Sequence, residues 1–579
     1  MTASVDPKRE AHGKTSRDGE TTFGWNLTST ALQDAVRLVV PQKNVLPVIF
    51  VPGIMGSNLK ERINGGKGRP VWRLDKGLGE KPISVVTQWM RKSAGIRQSV
   101  LHPQRVEVDR GGAIPRRLAG DIGSFEQYRE RGWGEVGQAS YEEFLVWLED
   151  KLNREQAMTA AVYWRDFKIP GAIEAAPTAP VLMGYKAPQL PSGVAMEMPS
   201  LPRGAEKGVV VPITTDDLLR RSKFRMPVYA FGYNWLETNE MAARELRRRI
   251  DSVIAENNAG GAVCKQVVLI THSMGGLVAR ACQSLPGMER KVAGIVHGVM
   301  PALGAAVAYR RCKVGMRDED VGAGFAIGND GKKVTAVFSQ APGALQLLPN
   351  SSYRRQWLSV EEPGGRVLNV QPVNNPYDDI YLRRDRWWGL VREEWLRPEG
   401  GVPLSWEQYA TNIGAAKLFH QRLINSYHRN TYVYYGGGSD KPSFEAVKWV
   451  VRDDTNAYLD PSKDRPDTTT VGRLGFGDVS DQGVGPVYIR EVLTAEQRQG
   501  AYPRQPLSYW RIECAMQDGA GDGTVPLSSG RAPMELGADC IRQQFRLSGF
   551  AHEESYRNRD AQYVTLYALM KIAGEAEVL

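Results

Sequence analysis

Val267-Val268-Leu269-Ile270-Thr271-His272-Ser273-Met274-Gly275-Gly276-Leu277-Val278-Ala279-Arg280 joins two kinds of element with almost no linker between them. The four apolar residues Val267 to Ile270 read as a buried strand, and Leu277, Val278 and Ala281 continue as the apolar face of a helix. Ser273 falls on the bend. A serine on a sharp strand-to-helix turn presents its hydroxyl, and the start of the helix faces negative charge developing there. Gly275 and Gly276 let the helix pack close to the strand. The G-x-S-x-G pattern of such a turn is broken by Thr271, which stands where the first glycine is expected.

The neighbouring sequence extends this unit. Pro227-Val-Tyr-Ala-Phe231 reads as a strand closed by Gly232-Tyr-Asn-Trp235, and Thr238 can cap a helix whose Ala242, Leu246, Ile250 and Val253 share one face. Val292 to Val299 is a further strand. Residues 227 to 299 therefore alternate strand, helix, strand, helix, strand, the pattern of a parallel sheet with right-handed crossovers. Upstream, Leu46-Pro-Val-Ile-Phe-Val-Pro52 reads as a core strand running into the glycine-rich loop Pro52-Gly53-Ile54-Met55-Gly56-Ser57. Downstream, Thr431 to Tyr435, Tyr509 to Ala515 and Gln543 to Leu547 are strand candidates, and Ser555 to about Ala573 is a helix. The expected fold class is α/β, of the α/β-hydrolase type, with a mostly parallel central sheet.

A serine hydroxyl is a poor nucleophile until a histidine takes its proton, and that histidine needs a carboxylate to fix its tautomer. In α/β-hydrolases the chain order is serine, acid, histidine. Of seven histidines, His12 lies in a polar tail, His102 precedes the sheet core, and His272 is beside the serine on the wrong side of the bend. His297, His420 and His428 follow the serine, the last two inside or at the edge of an insertion. His552 fits best, after the strand ending at Leu547 and the loop Ser548-Gly-Phe-Ala551. For the acid, Gly521-Asp522-Gly-Thr-Val-Pro526 puts a carboxylate in a glycine-rich turn before His552. Asp522 is the first choice, Asp440 the alternative and Asp518 the third. Donors for a tetrahedral oxyanion are expected from the N–H of Met274 and that of Ile54 or Met55.

The remaining chain reads as additions to this core. Residues 1–22 are polar and are expected to be a disordered tail, leaving 23–579 as the hydrolase domain, with insertions at about 60–226 and 310–428 forming a cap or lid. Ala172 to Gly204 holds six prolines together with Met183, Met196 and Met198, which suits an adaptable apolar flap or an irregular loop. Arg383-Arg-Asp-Arg-Trp-Trp388, followed by Trp395, could lie at a membrane interface, stack on nucleobases or pack a cap helix. The uncharged run from Val292 to Tyr309 is broken by Pro301 and several glycines, so it suits a strand and turn better than a membrane span.

A net charge of +9 favours anionic partners such as a phospholipid surface, and no nucleic-acid motif accompanies it. The five cysteines are scattered and odd in number, against a disulfide framework. The first 40 residues lack the apolar core of a signal peptide, which implies synthesis in the cytoplasm and, for action elsewhere, a dedicated export route. No clustered spacing calls for a metal or cofactor, and Asp216-Asp217 and Asp453-Asp454 read as solvated pairs or caps.

Taken together, Val51-Pro-Gly-Ile-Met-Gly-Ser57, Tyr233-Asn-Trp235, His272-Ser-Met-Gly-Gly276, Leu347-Leu-Pro349, Gly521-Asp-Gly-Thr-Val525 and His552 resemble lecithin–cholesterol acyltransferase-like and GPI-inositol-deacylase-like lipases. The resemblance covers the sheet core, less than half the chain. Thr271, and Asn234 where the acyltransferases usually carry aspartate, depart from the family pattern. Membership implies hydrolysis or transfer of a fatty acyl ester, with Ser273, Asp522 and His552 as the triad and lipid or phospholipid at a membrane surface as substrate. The large caps and polar start are also similar to phospholipase effectors exported by type VI secretion, which implies an immunity or inhibitor protein as partner. The competing readings are a soluble esterase or peptidase on the same scaffold and a non-catalytic binding protein that kept the fold.

Overall fold

The computed structural model describes residues 9–15, 21–23, 36–39, 43–63, 68–75, 89, 91–115, 124–153, 204–206, 211, 213–316, 327–453, 468–490 and 508–578. Its centre is a sheet of six parallel strands: β1 (Val48–Val51), β2 (Val228–Ala230), β3 (Val267–His272), β4 (Val292–Gly298), β5 (Thr431–Gly436) and β6 (Ile541–Leu547), in the order β2-β1-β3-β4-β5-β6. Every residue of β1, β2, β3 and β5 is buried, as a parallel sheet covered on both faces requires.

Side chains alternate between the two faces. Val48, Phe50, Val268 and Ile270 share one apolar cluster with Tyr141, Phe144, Leu145 and Leu148 of helix α1 (Gln138–Asn153) and with Val564, Leu569 and Ile572 of α4 (Arg559–Glu575). Ile49, Val51, Val267 and Leu269 join the opposite cluster, with Leu246, Ile250 and Val253 of α2 (Asn239–Asn257) and Leu277 and Val278 of α3 (Gly275–Gln283). The Thr238 hydroxyl caps α2 by accepting the Met241 N–H at 3.2 Å, the role its position before the periodic run predicts.

Four expectations are corrected. Residues 1–22 are not wholly a structureless tail, because Arg9–Thr15 and Thr21–Phe23 are strands of a small sheet completed by Val36–Val39. The 60–226 segment is not a cap throughout: α1 is one of the layers that cover the central sheet. The second insertion does not stop at 428. A second six-stranded sheet takes Val367–Gln371 and Leu358–Glu361 from between β4 and β5, and Val447–Asp453, Ser508–Cys514, Val487–Arg490 and Val479–Asp481 from between β5 and β6, in that order across the sheet. The strand at Ser508–Cys514 therefore belongs to the cap sheet, not to the catalytic one.

The tryptophans of the Arg-Trp cluster are part of this cap's core, while Arg384 and Asp385 are exposed. Trp387 and Trp388 are buried and donate their indole N–H groups to the carbonyls of Val471 and Gly472, both at 2.8 Å, and Trp395 is buried too. The Lys313 ammonium, fully buried, donates to the carbonyls of Trp387 at 2.7 Å and Gly389 at 3.2 Å and lies 3.8 Å from the Asp481 carboxylate. Residues 292–309 form β4, a turn and the start of the helix Ala306–Val314, and no helix among the described residues is long and apolar enough to cross a membrane. The Pro- and Met-rich stretch lies outside the described residues apart from Gly204.

Candidate active site

β3 ends at His272 and α3 begins at Gly275, so Ser273 and Met274 alone make the turn. Ser273 takes a left-handed backbone conformation, φ 52°, and its N–H donates to the Gly298 carbonyl at 2.9 Å. A non-glycine residue in that region carries local strain, held here by the strand on one side and the helix on the other. The tight packing requires Gly275, where a Cβ would come within 2.4 Å of the Val51 carbonyl oxygen. Thr271 is accommodated because its hydroxyl meets His297 Nδ1 at 2.9 Å on the neighbouring strand, in register with it, away from the turn. That pairing gives the departure from glycine a local structural role.

The structure brings Ser273, His552 and Asp522 together. Ser273 Oγ lies 2.8 Å from His552 Nε2, and His552 Nδ1 lies 2.8 Å from Asp522 Oδ2. An ionised carboxylate only accepts, so Nδ1 carries the imidazole proton and Nε2 is left to accept from the serine. Asp522 is itself fixed: its Oδ1 accepts the N–H groups of Thr524 at 3.0 Å and Val525 at 2.7 Å, and its carbonyl accepts the His552 N–H at 2.8 Å. Asp522 and Ser273 are buried, and His552 is partly exposed.

The glycine-rich loop after β1 lies directly on the elbow. A Cβ at Gly53 would stand 3.0 Å from both His272 Nδ1 and Ser273 Cβ. The Ile54 and Met274 N–H groups donate to no backbone carbonyl among the described residues, and Met55, at φ 63°, has its carbonyl held by the Trp72 indole N–H at 2.8 Å.

The remaining candidates lie elsewhere. Asp440 is exposed on the strand Gly438–Ser443, and Asp518 is exposed and paired with Lys448. His420 is buried on the cap helix Trp406–Leu423 against Tyr377 and the Gln346 carbonyl, and the His428 ring accepts the Asn430 N–H. Asp217 caps the helix Thr215–Arg221 and pairs with Lys571, and Asp453 ends a cap strand. No group of three or more potential metal ligands occurs among the described residues. Asn234 stitches the loop after β2 through its amide, which donates to the Pro103 carbonyl at 2.8 Å and that of Val106 at 3.3 Å.

Three residues at the site escaped the sequence reading. Ser443, buried, accepts the N–H of Gly523 at 2.9 Å and of Asp522 at 3.2 Å and so holds the acid turn. Tyr141 and His272 meet at 3.0 Å, His272 Nε2 lies 3.0 Å from the His552 carbonyl, and burial with His552 beside it lowers the His272 pKa to about 3. The one signal available was the adjacency of His272 to Ser273. Nothing local tied Tyr141 or Ser443 to the site.

A family model described as a PGAP1-like alpha/beta domain matches residues 229–314, which span β2 through β4 and the elbow. Among solved structures, one described as the crystal structure of the Tle4–Tli4 complex contains a chain similar to this one, with 28% identity and a TM-score of 0.69 over 93% of this chain and 100% of that chain. No curated protein matches. The parallel sheet, the strained elbow and these two matches give the chain an α/β-hydrolase fold, in which residues 229–314 are similar to a PGAP1-like alpha/beta domain.

Proposed function

We propose that the protein is a serine lipase or phospholipase that cleaves acyl esters. The observation that carries this reading is the continuous hydrogen-bonded line Ser273 Oγ–His552 Nε2, His552 Nδ1–Asp522 Oδ2 at the end of a parallel sheet. Ser273 Oγ attacks the ester carbonyl while His552 Nε2 takes its proton. Asp522 holds the Nδ1–H and offsets the imidazolium charge, and the N–H groups of Met274 and of Ile54 or Met55 receive the oxyanion. His552 then gives its proton to the leaving alcohol, and water, activated by the same histidine, releases the fatty acid. The chemistry calls on no metal.

The likeness to Tle4 and the lipase motifs support a bacterial phospholipase effector of the type VI kind, delivered to a target cell and acting on its membranes. Since that relative was solved with Tli4, an immunity protein that binds this chain belongs to the same proposal.

The test is mass spectrometry of the products released from mixed bacterial phospholipid vesicles, with Ser273→Ala as the blank. Free fatty acid and lysophospholipid that vanish in the blank support the reading. Cleavage of short soluble esters alone would assign a carboxylesterase, and failure of the wild type to react with a fluorophosphonate would make the protein a binder.

A further inference from the structure

The mechanism above leaves two fully buried polar side chains beside the elbow without a role, and their hydrogen bonds run in one direction only. The His552 carbonyl can only accept, so His272 Nε2 must carry the ring proton and donate to it at 3.0 Å. The burial that lowers the His272 pKa to about 3 keeps the ring neutral, which leaves Nδ1 as an acceptor. The Tyr141 hydroxyl, whose ionisation burial opposes, donates its single proton to Nδ1 at 3.0 Å. Its lone pair then accepts the Gly53 N–H at 3.2 Å. The chain Gly53 N–H, Tyr141 O–H, His272, His552 C=O leaves no member free to turn over.

Its two ends are the parts that must be aligned in the transition state. Gly53 precedes Ile54 and Met55, one of which offers its N–H to the oxyanion in the proposed mechanism, and the His552 carbonyl belongs to the residue that moves the proton there. His272 is also bonded covalently to Ser273. Resting on the proposed acyl-ester chemistry, we propose that Tyr141 and His272 are positioning residues that set the distance between the oxyanion loop and the general base, with Ser273 between them. The loop after β1 and the loop after β6 share no backbone hydrogen bond among the described residues, so this side-chain bridge is a direct polar link between them. Neither residue touches the reacting atoms.

A purely structural role is the alternative, since the Tyr141 ring also packs on Phe50 at 4.9 Å within a cluster that includes Phe144 and Tyr556. Tyr141→Phe keeps that packing and removes only the hydroxyl. His272→Asn keeps an acceptor near Tyr141 and loses the His552 arm. Phe144→Leu loosens the same cluster and leaves every hydrogen bond of the bridge in place. The experiment measures kcat and KM on a soluble short-chain ester, fluorophosphonate labelling rate and thermal midpoint for these variants, with Ser273→Ala as the control.

Tyr141→Phe and His272→Asn are expected to lower kcat and labelling rate by about ten- to hundredfold with KM changed less than about twofold, because alignment matters most in the transition state. The double variant should be little worse than the worse single one. Phe144→Leu should lower the midpoint with kcat intact. Full kcat in Tyr141→Phe, or losses that merely track the folded fraction, would overturn the positioning role while a dead Ser273→Ala left the proposed function standing. Retained turnover in Ser273→Ala would bring down both.

Discussion

The two six-stranded sheets are built on opposite plans. In the central sheet every pairing is parallel, and the residues that meet at Ser273 come from the carboxyl ends of β1, β3 and β6 and from the turn that holds Asp522. In the cap sheet only Leu358–Glu361 and Val447–Asp453 run parallel, and its core is tryptophans sealed over a buried lysine. A parallel sheet gathers all its strand ends on one edge, where loops distant in sequence can share a site. The antiparallel cap gathers nothing comparable. The cap is nonetheless threaded through the site, because Ser443, which holds the acid turn, precedes one cap strand and Gly519–Gly521 follows another.

The contrast breaks first at the elbow. Ser273→Ala is expected to abolish ester turnover, by at least about a thousandfold, with the thermal midpoint nearly unchanged. Asp522→Asn should cost about a thousand- to ten-thousandfold in kcat, since an amide no longer enforces the His552 tautomer. Both are read by steady-state hydrolysis, and a mild effect of either would remove the central sheet's claim to the chemistry.

The cap should respond in stability instead. Lys313→Ala strands the Asp481 carboxylate in the interior and should destabilise the protein by about 3–5 kcal/mol. Hydrogen exchange should show protection lost at Val447–Asp453 and Val487–Arg490 well before β3. Uniform loss across both sheets would mean that they unfold as one unit.

Acid should weaken both regions. Burial lowers the pKa values of His272 and His297 in the central sheet to about 3, and of His420 in the cap to about 4. Between those values and the ordinary value near 6.5 the unfolded chain binds more protons than the folded one, so stability falls as pH falls. Each histidine adds a slope of about 1.4 kcal/mol per pH unit. Urea unfolding at pH 7.5, 6 and 5 should show the loss, and His420→Gln should lessen its slope by one histidine's share. The smallest effect is a null one: Asp440→Asn, at an exposed position, should leave kcat within about twofold and stability within about 0.5 kcal/mol.

Legibility followed the same division. The runs Val267 to Ile270 and Val48 to Val51 are apolar because both faces of a parallel strand are covered, so they stood out without any partner being known. Among the cap strands only the one at Ser508–Cys514 stood out, and its sheet did not. Val367–Gln371 is partly exposed along its length, and a strand of that kind looks like an irregular segment until its neighbour is seen. The tryptophans at 387 and 388 illustrate the same limit, since an Arg-Trp run has the same spelling whether its rings face a membrane or a core.

By itself, then, the sequence determined the elbow and the core strands that lead into Ser273 and toward His552, because each rests on local periodicity and turn chemistry. Tertiary structure alone decided that Thr271 is tolerated through His297, that Asp522 rather than Asp440 faces His552, and that Tyr141 and His272 bridge two loops. Those are contacts between residues far apart in the chain, and no local pattern encodes which of several suitable side chains the packing will bring within three ångströms.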